Sequence, residues 1–591
     1  MINKKLFLCV ACVVLVVSFL FGCTTGNVKT STTATKPNIE DIIGNIDTNI
    51  DNEDANTDYN EEGATKIVFS DGGINVSGSG AVAQGSTVRI GSEGTYILSG
   101  GCDDGYVIVD ASKSEVRIVL DGLNLTNNDG PAILVKNAKK VTLTLVEDSD
   151  NSLSDGASYQ LLEGNATVDG AIFAKSELVV NGEGNLVVNG NNAHGIVSKK
   201  GLVITGGNIN VTSKNAGVCG KDYLKITNSN ITVNAGTDGL KSDNIEDADM
   251  GYIYIQSGTF NINSGNDGIQ SYGIASIEGG MFNIKTTSTL STASAKGVKG
   301  TAGVAISGGE FVIDAQDDGI HSDGDVYLVG GNISISSTDD GVHANSSLNI
   351  ADGELNITKS YEGLEATDII ISGGKIEINS SDDGMNASGG TDSSTETTTR
   401  PGGGSESTNG SITISGGYTI IHNEGDGIDA NGSLNVSGGI TIIDGPSRGG
   451  NGSFDYASSA TITGGIVVAL GTSDMAQNFS SATQGSVLVR SGGSFAAGTL
   501  MSICDENGNV ILAFKSTKSF NGALFSAPEL EKGKTYTFYQ NATVSGLDEN
   551  GFAHNTTQTG GTECGSVTLD DYICGQGSSM GGGMPGGRPP R

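Results

Sequence analysis

Between residues 195 and 427 apolar and polar positions alternate with a period of two, in short runs that themselves recur. The copy after Gly319 shows the unit. Ile320 and Ser322 flank a polar position, Val326-Tyr327-Leu328 follows, then Gly330-Gly331, Ile333-Ser334-Ile335 and the next Asp339-Asp340-Gly341. The following copy carries Leu348-Asn349-Ile350, Gly353 and Leu355-Asn356-Ile357. Runs of strand length with period-two patterning, separated by glycine and Asx turns, predict short β-strands, and no stretch sustains a helical period.

The units are phased by glycines at 195, 217, 239, 268, 297, 319, 341, 363, 384 and 427. Five intervals are 22 residues, one is 21, two are 29 and the last is 43. A fixed period near twenty residues marks a solenoid. Three strands in each 22 residues, with a coil advancing about 4.8 Å, describe a parallel β-helix whose inward Ile, Val and Leu stack in ladders. A β-propeller needs blades of about 40 residues and fits less well. The expected fold is all-β: a right-handed, single-stranded parallel β-helix over 66–470 with a small β-rich C-terminal cap over 471–574. The glycines are expected to supply positive φ at tight corners. The 29-residue intervals predict inserted loops such as Asn244 to Gly251, and the 43-residue interval predicts two coils, one bearing the polar insert Ser388 to Gly410. Past 470, Ser486-Val487-Leu488-Val489, Asn509 to Phe514 and Thr535 to Tyr539 read as cap strands covering the open end of the solenoid.

The termini add localisation. Lys4 and Lys5 precede the apolar run Leu6 to Leu20, and Leu20-Phe21-Gly22-Cys23 closes it. This resembles a bacterial lipoprotein cleavage box, which implies a signal peptide over 1–23 and a lipidated Cys23 on the extracellular face of the bacterial membrane; an ordinary signal peptide and a secreted product stand as the alternative. Residues 24–65 read as a disordered tether and 575–591 as a Gly/Pro-rich tail. Membrane contact is expected only through the lipid anchor, and the chain is expected to be monomeric. Of the later cysteines, Cys564 and Cys574 are close enough to pair locally, and no zinc spacing or disulfide framework is present. Sixty-seven acidic against 32 basic residues give a net charge of −35, which excludes nucleic acid and anionic lipid surfaces as partners.

The positions of those charges carry the candidate chemistry. The period stacks Asp318, Asp340, Glu362 and Asp383, with Asp238, Asp267 and Asp426 at equivalent places and Asp317, Asp339 and Asp382 beside them. Two positions past each glycine runs a second column, expected to point outward: Lys241, Gln270, Lys299, His321, His343, Glu365, Asn386 and Asp429. One aspartate before glycine is ordinary turn chemistry. A doubled aspartate exceeds what a turn needs. Carboxylates about 5 Å apart repel by roughly 3 kcal/mol at an effective dielectric near 20, so such a ladder calls for a cation, and hard oxygen donors favour Ca²⁺. The candidate metal ligands are Asp317, Asp318, Asp339, Asp340, Glu362, Glu365, Asp382, Asp383, Asp426 and Asp429, with Asp238 and Asp243 in an earlier coil.

Asp-Asp-Gly on a β-helix resembles the calcium-binding corner of pectate-lyase-like polysaccharide lyases. Gly94-Thr95-Tyr96-Ile97-Leu98-Ser99-Gly100, Val119-Leu120-Asp121-Gly122-Leu123, Gly130-Pro131-Ala132-Ile133, Leu145-Val146-Glu147-Asp148 and Asn151 to Gly156 resemble a more particular group. That group is the clostridial carbohydrate-binding domain family of calcium-containing β-helix proteins, and the resemblance runs from about residue 66 to about 470. It implies calcium on the aspartate columns and a cellulose or pectic polymer along the outer face, with Ca²⁺ bridging protein and uronate carboxylates. A lyase would also need a base beside the metal. Lys241 and Lys299 are the available bases, and Lys241 has Asp238 and Asp243 near it, yet neither sits in the strong Asp-Asp coils, which hold His321, His343 or Asn386 at that place. The chain has no Trp; Tyr252, Tyr254, Tyr272, Tyr327 and Tyr361 are the candidate sugar-stacking rings. Calcium-dependent polysaccharide binding is the leading expectation. A pectate-type lyase and a surface adhesin or spacer stand as alternatives.

Overall fold

A computed structural model describes residues 43–44, 46–70, 72–160, 168–288, 294–388 and 410–576. The leader with Cys23, most of the insert at 388–410 and nearly all of the C-terminal tail lie outside those residues.

The repeat folds as a parallel β-helix of three strands per coil. Three-residue strands such as Leu240–Ser242, Ile269–Ser271, Val298–Gly300 and Ile320–Ser322 stack in parallel register to form the first sheet. The second contains Gly201–Ile204, Tyr223–Ile226, Tyr252–Ile255 and Ile274–Ile277. The third contains Asn208–Ser213, Ser229–Ala235, Gly258–Ser264, Met281–Thr286 and Glu310–Asp314. Along the third-sheet strands alternate residues are buried, as period-two patterning requires, whereas second-sheet strands such as Gly201–Ile204 and Tyr252–Ile255 are buried at every position. The buried set forms one continuous core from Ile67 past Ile462. Phe260, Phe282 and Phe311 stack within it at centroid separations of 4.6 and 4.4 Å.

At the far end Ile466–Gly471 pairs antiparallel with Phe520–Ala527. A five-stranded antiparallel sheet that includes Leu500–Cys504, Val510–Lys515 and Thr535–Gln540 lies beyond it. Phe514, Phe525 and Phe538 share a core with Ile442 and Val468, so the cap closes the solenoid by burying the apolar edge of its last coils. Gly575 and Gln576, assigned to the tail, still pair with Leu488 and Val489.

Four expectations need correction. The 43-residue interval holds one coil, because Met385 pairs directly with Ile428 and Asn386 with Asp429; the insert supplies the remaining length. The glycines of the repeated phrase are absent from the positive-φ set, which instead includes the second glycine of the Gly-Gly turns between 206 and 465, such as Gly331 at φ 92. Gly319 is needed for close approach: a Cβ there would stand 2.3 Å from Ile335 Cγ2 and 2.6 Å from the Gly341 carbonyl oxygen. Cys564 and Cys574 are free thiols, as are Cys102, Cys219 and Cys504. Finally, residues 47–56 of the expected tether lie against the second sheet, where Asp47 meets Lys225 at 2.7 Å and Asp54 meets Lys140 at 2.6 Å. A sequence with few apolar residues is held here by hydrogen bonds and ion pairs.

Candidate cation and glycan site

The first task of the aspartate column is to hold one coil on the next. Asp267 Oδ1 accepts the Lys296 N–H at 2.9 Å, Asp318 Oδ1 accepts that of Asp340 at 3.0 Å, and Asp383 Oδ1 accepts that of Asp426 at 2.6 Å. Asp426 Oδ1 continues the ladder to the Gly452 N–H at 2.5 Å. One oxygen is thereby committed; the other oxygen of Asp318 meets His321 three positions on, as Asp340 Oδ2 meets His343. Asp318 is 0% exposed, Asp340 4% and Asp267 4%, whereas Asp383 and Asp426 are half-buried. The neighbouring column, expected to point outward, is largely covered as well, with His321 at 2% and His343 at 0%. Asp323 and Asn345 explain part of that cover, since they meet the Nε2 atoms of His321 and His343 at 3.0 and 2.9 Å.

In the coils from Lys296 to Glu365 the protein supplies its own cations. Lys296, at the aspartate position of its coil, reaches Asp318 at 2.5 Å and Asp317 at 3.0 Å. His321 Nδ1 lies 2.8 Å from Asp318 Oδ2. Burial opposes the charge on Asp318, but the His321 hydrogen bond and the Lys296 ammonium outweigh it and hold the carboxyl below its ordinary range. His343 Nδ1 sits between Asp340 at 3.0 Å and Glu365 at 2.9 Å. Burial works against its charge, yet these two carboxylates push its pKa up to about 11. Burial also opposes ionisation of Glu365, but His343 brings it down to about 2. The two imidazoles stack at 4.9 Å.

In the next two coils no such cation is present among the described residues. Asp383, Asp426 and Asp429 each place a carboxylate oxygen within 4.8 Å of the others. Burial, with Asp382, Asp426 and Asp429 adding repulsion, pushes Asp383 up to about 7. Burial and Asp426 push Asp429 to about 6, and burial and Glu365 push Glu362 to about 8. Asp382 also converges here, because a Cβ on Gly425 would stand 2.3 Å from Asp383 Oδ1 and 2.4 Å from Asp382 Oδ1. Asn386 pairs in register with Asp429, is 9% exposed, and gives its Nδ2 to both Glu362 oxygens at 3.0 and 2.9 Å. Its Oδ1 is buried without a hydrogen-bond partner among the described residues. The set is hard oxygen throughout. Two oxygens each about 2.4 Å from one ion lie no more than about 4.8 Å apart, which is the spacing Ca²⁺ takes.

The other candidates separate. Asp317, Asp318 and Asp339 also bring their oxygens within 4.8 Å of one another, but Lys296 already lies against two of them. Asp238 is paired with Lys241 at 2.8 Å, and Asp243 stands at the edge of that pair at 4.0 Å. Burial lowers the Lys241 pKa, but Asp238 and Asp243 outweigh it and hold the ammonium above its usual value, the opposite of what a proton-abstracting amine needs. Tyr252 and Tyr254 are 2% and 3% exposed and offer no open stacking face, whereas Tyr272 and Tyr361 are 43% and 48% exposed. Two participants escaped the sequence reading. Lys296 precedes Gly297 as Asp318 precedes Gly319, so its register was readable. Asp455, opposite Asp429 in the next coil, follows the phrase in a copy whose glycine is replaced.

A family model for carbohydrate-binding domain-containing proteins matches residues 84–341 and 336–500, more than half of the chain. The chain belongs to that family. A carbohydrate-binding domain-containing protein of Acetivibrio thermocellus is 37% identical over 149 residues, which are 25% of this chain and 52% of that protein. The match therefore spans about half the length of this relative. A solved polysaccharide lyase-like protein from C. thermocellum, a gadolinium derivative, is 33% identical and covers 41% of this chain and 96% of its own, with a TM-score of 0.38.

Proposed function

We propose that this protein binds polysaccharide outside the cell and that Ca²⁺ at the Asp383–Asp426–Asp429 corner organises the contact. Membership of a carbohydrate-binding family supports the ligand class. The observation that carries the metal is the uncompensated corner: three converging carboxylates, the buried Asn386 Oδ1 beside them, and no basic partner among the described residues. Asp383, Asp426, Asp429 and Asn386 would hold the ion, with Asp382 and Asp455 closing the shell. A bound Ca²⁺ supplies positive charge that a uronate carboxylate or sugar hydroxyls can share. The polymer is of the cellulose or pectic type, and Cys23 would tether the protein to the membrane surface.

Binding is favoured over lyase turnover by the state of Lys241, whose ammonium is tied to Asp238. The test is retention on immobilised polygalacturonate and on cellulose in Ca²⁺ and in chelator, with unsaturated-uronate absorbance followed in parallel. Retention in Ca²⁺, release by chelator and no absorbance are expected. Steady product formation abolished by Lys241→Ala would replace this reading with the lyase, and no retention on either polymer would leave the adhesin or spacer.

A further inference from the structure

Residues 47–56 occupy a groove on the outer face of the second sheet, and the direction of every hydrogen bond described there is the same. Lys225 Nζ donates to Asp47 Oδ2 at 2.7 Å and to the Asn49 carbonyl at 2.8 Å, and the Tyr252 hydroxyl donates to the Asp47 carbonyl at 3.1 Å. Thr205 Oγ1 donates to the Asp54 carbonyl at 3.0 Å, and Lys140 Nζ to the Asp54 carboxylate at 2.6 Å. Asn181 Nδ2 donates to the carbonyls of Asp54 and Asn56 at 2.9 and 3.1 Å, and Arg117 to the Asn56 carbonyl at 3.0 Å. The sheet donates and the strap accepts, eight times. Tyr223 and Tyr252 stack at 5.6 Å in the groove floor, and Lys225 lies 5.0 Å above the Tyr223 ring.

Such a surface is unusual on a chain of net charge −35. The strap from Asp47 to Asp58 contains five carboxylates and no lysine or arginine. It is an extended, acidic, acceptor-rich chain lying across successive coils. Each coil advances by about 4.8 Å, close to the length of one pyranose. The strap also fits incompletely: Asn181 is fully buried, and its Oδ1, an acceptor, has no partner among the described residues. A peptide carbonyl cannot satisfy that atom. A sugar hydroxyl can.

We infer that this groove is a second glycan site, for an extended acidic polysaccharide, and that the chain's own acidic strap covers it until the polymer displaces the strap. Uronate carboxylates take the places of Asp47 and Asp54 on Lys225 and Lys140, ring hydroxyls meet Asn181, Thr205 and Arg117, and the Tyr223–Tyr252 pair lies beneath the polymer as it lies beneath the strap. The inference rests on the polysaccharide-binding reading but not on the calcium corner, which lies on a different sheet. A strap that closes the groove nine-tenths of the time lowers the apparent affinity about tenfold.

The experiment is polygalacturonate binding by the full chain in excess chelator, so that the calcium corner contributes nothing. Asp47→Asn with Asp54→Asn loosens the strap, whereas Asp51→Asn with Glu53→Gln makes the same change of charge at strap residues whose side chains make no described hydrogen bond or ion pair to the sheet. The first pair is expected to bind about tenfold more tightly than the native chain and the second pair to bind as the native chain does. Equal tightening by both pairs, or by neither, overturns the proposal whatever the calcium result. Hydrogen exchange of the native chain gives a readout free of variants. Saturating polygalacturonate is expected to speed exchange over 47–58 while neutral cello-oligosaccharide leaves it unchanged; unaltered exchange at saturation, or an equal effect of the neutral sugar, overturns it.

Discussion

The coils around Asp318 and the coils around Asp383 share one turn phrase, one register and one backbone hydrogen bond from the next coil, yet their carboxylates end in opposite states. Asp318 is matched from below by Lys296 and from three residues along by His321. Asp383 has Asp382, Asp426 and Asp429 as its charged neighbours. The turn chemistry is common to both, so the turn does not make a metal site. Residues two positions past the glycine, and the residue one coil earlier in the column, decide whether the column is self-neutralised or left for an external cation. On the proposed reading, the coils from Lys296 to His343 carry their cations covalently and the corner at Asp383 takes one from solution.

The comparison can be broken most forcefully at Lys296. Replacing it with Met removes the cation under a fully buried carboxylate, and a loss of about 3–5 kcal/mol is expected in denaturant unfolding. A loss below about 1 kcal/mol would mean the pair is not compensating Asp318 at all. The mirror experiment at the other corner has the opposite sign. Asp383→Asn with Asp426→Asn keeps the Oδ1 acceptors but removes repulsion worth up to about 3 kcal/mol before screening. In chelator a net gain of about 1 kcal/mol is expected, and destabilisation would show that the carboxylates are already balanced.

A smaller effect follows with pH. Asp383, Asp429 and Glu362 are raised in the folded state to about 7, 6 and 8. The folded chain therefore binds more protons than the unfolded one between their ordinary range and these values. Stability is full below the unfolded pKa and is lost as pH rises through the folded one. In chelator the melting temperature should fall from pH 5 to pH 8, and Ca²⁺ should flatten that slope. A slope identical with and without Ca²⁺ would separate the metal from these groups. The least effect is expected from Lys241→Ala, which should leave polygalacturonate retention near the native level; a severe loss would move the ligand to the first coils.

Much of the fold was legible because burial in a β-helix is periodic. Ile320, Val342 and Leu364 could be stacked by counting alone. The count failed at Gly384 to Gly427 because the insert there is about as long as a coil, and spacing cannot distinguish the two. The site was half legible. The register of Asp318, Asp340 and Asp383 follows from the period, but the burial of Asp318 and Asp340 does not, since cover over His321 and His343 comes from Asp323 and Asn345 outside the phrase. Lys296 breaks the aspartate pattern, so the period alone does not single it out, although the break is what neutralises the column. The strap had no readable signal: its acidic, apolar-poor residues resemble a linker, and its partners Lys140, Asn181 and Lys225 lie more than 80 positions away.

Calorimetric titration of Ca²⁺ into three full-length proteins tests the central claim most directly: the native chain, Asp383→Asn with Asp426→Asn, and Asp317→Asn with Asp339→Asn. The account predicts binding by the native chain that is lost in the first pair and kept in the second. Binding lost in the second pair and kept in the first would place the cation in the coils that already carry Lys296, and would contradict it.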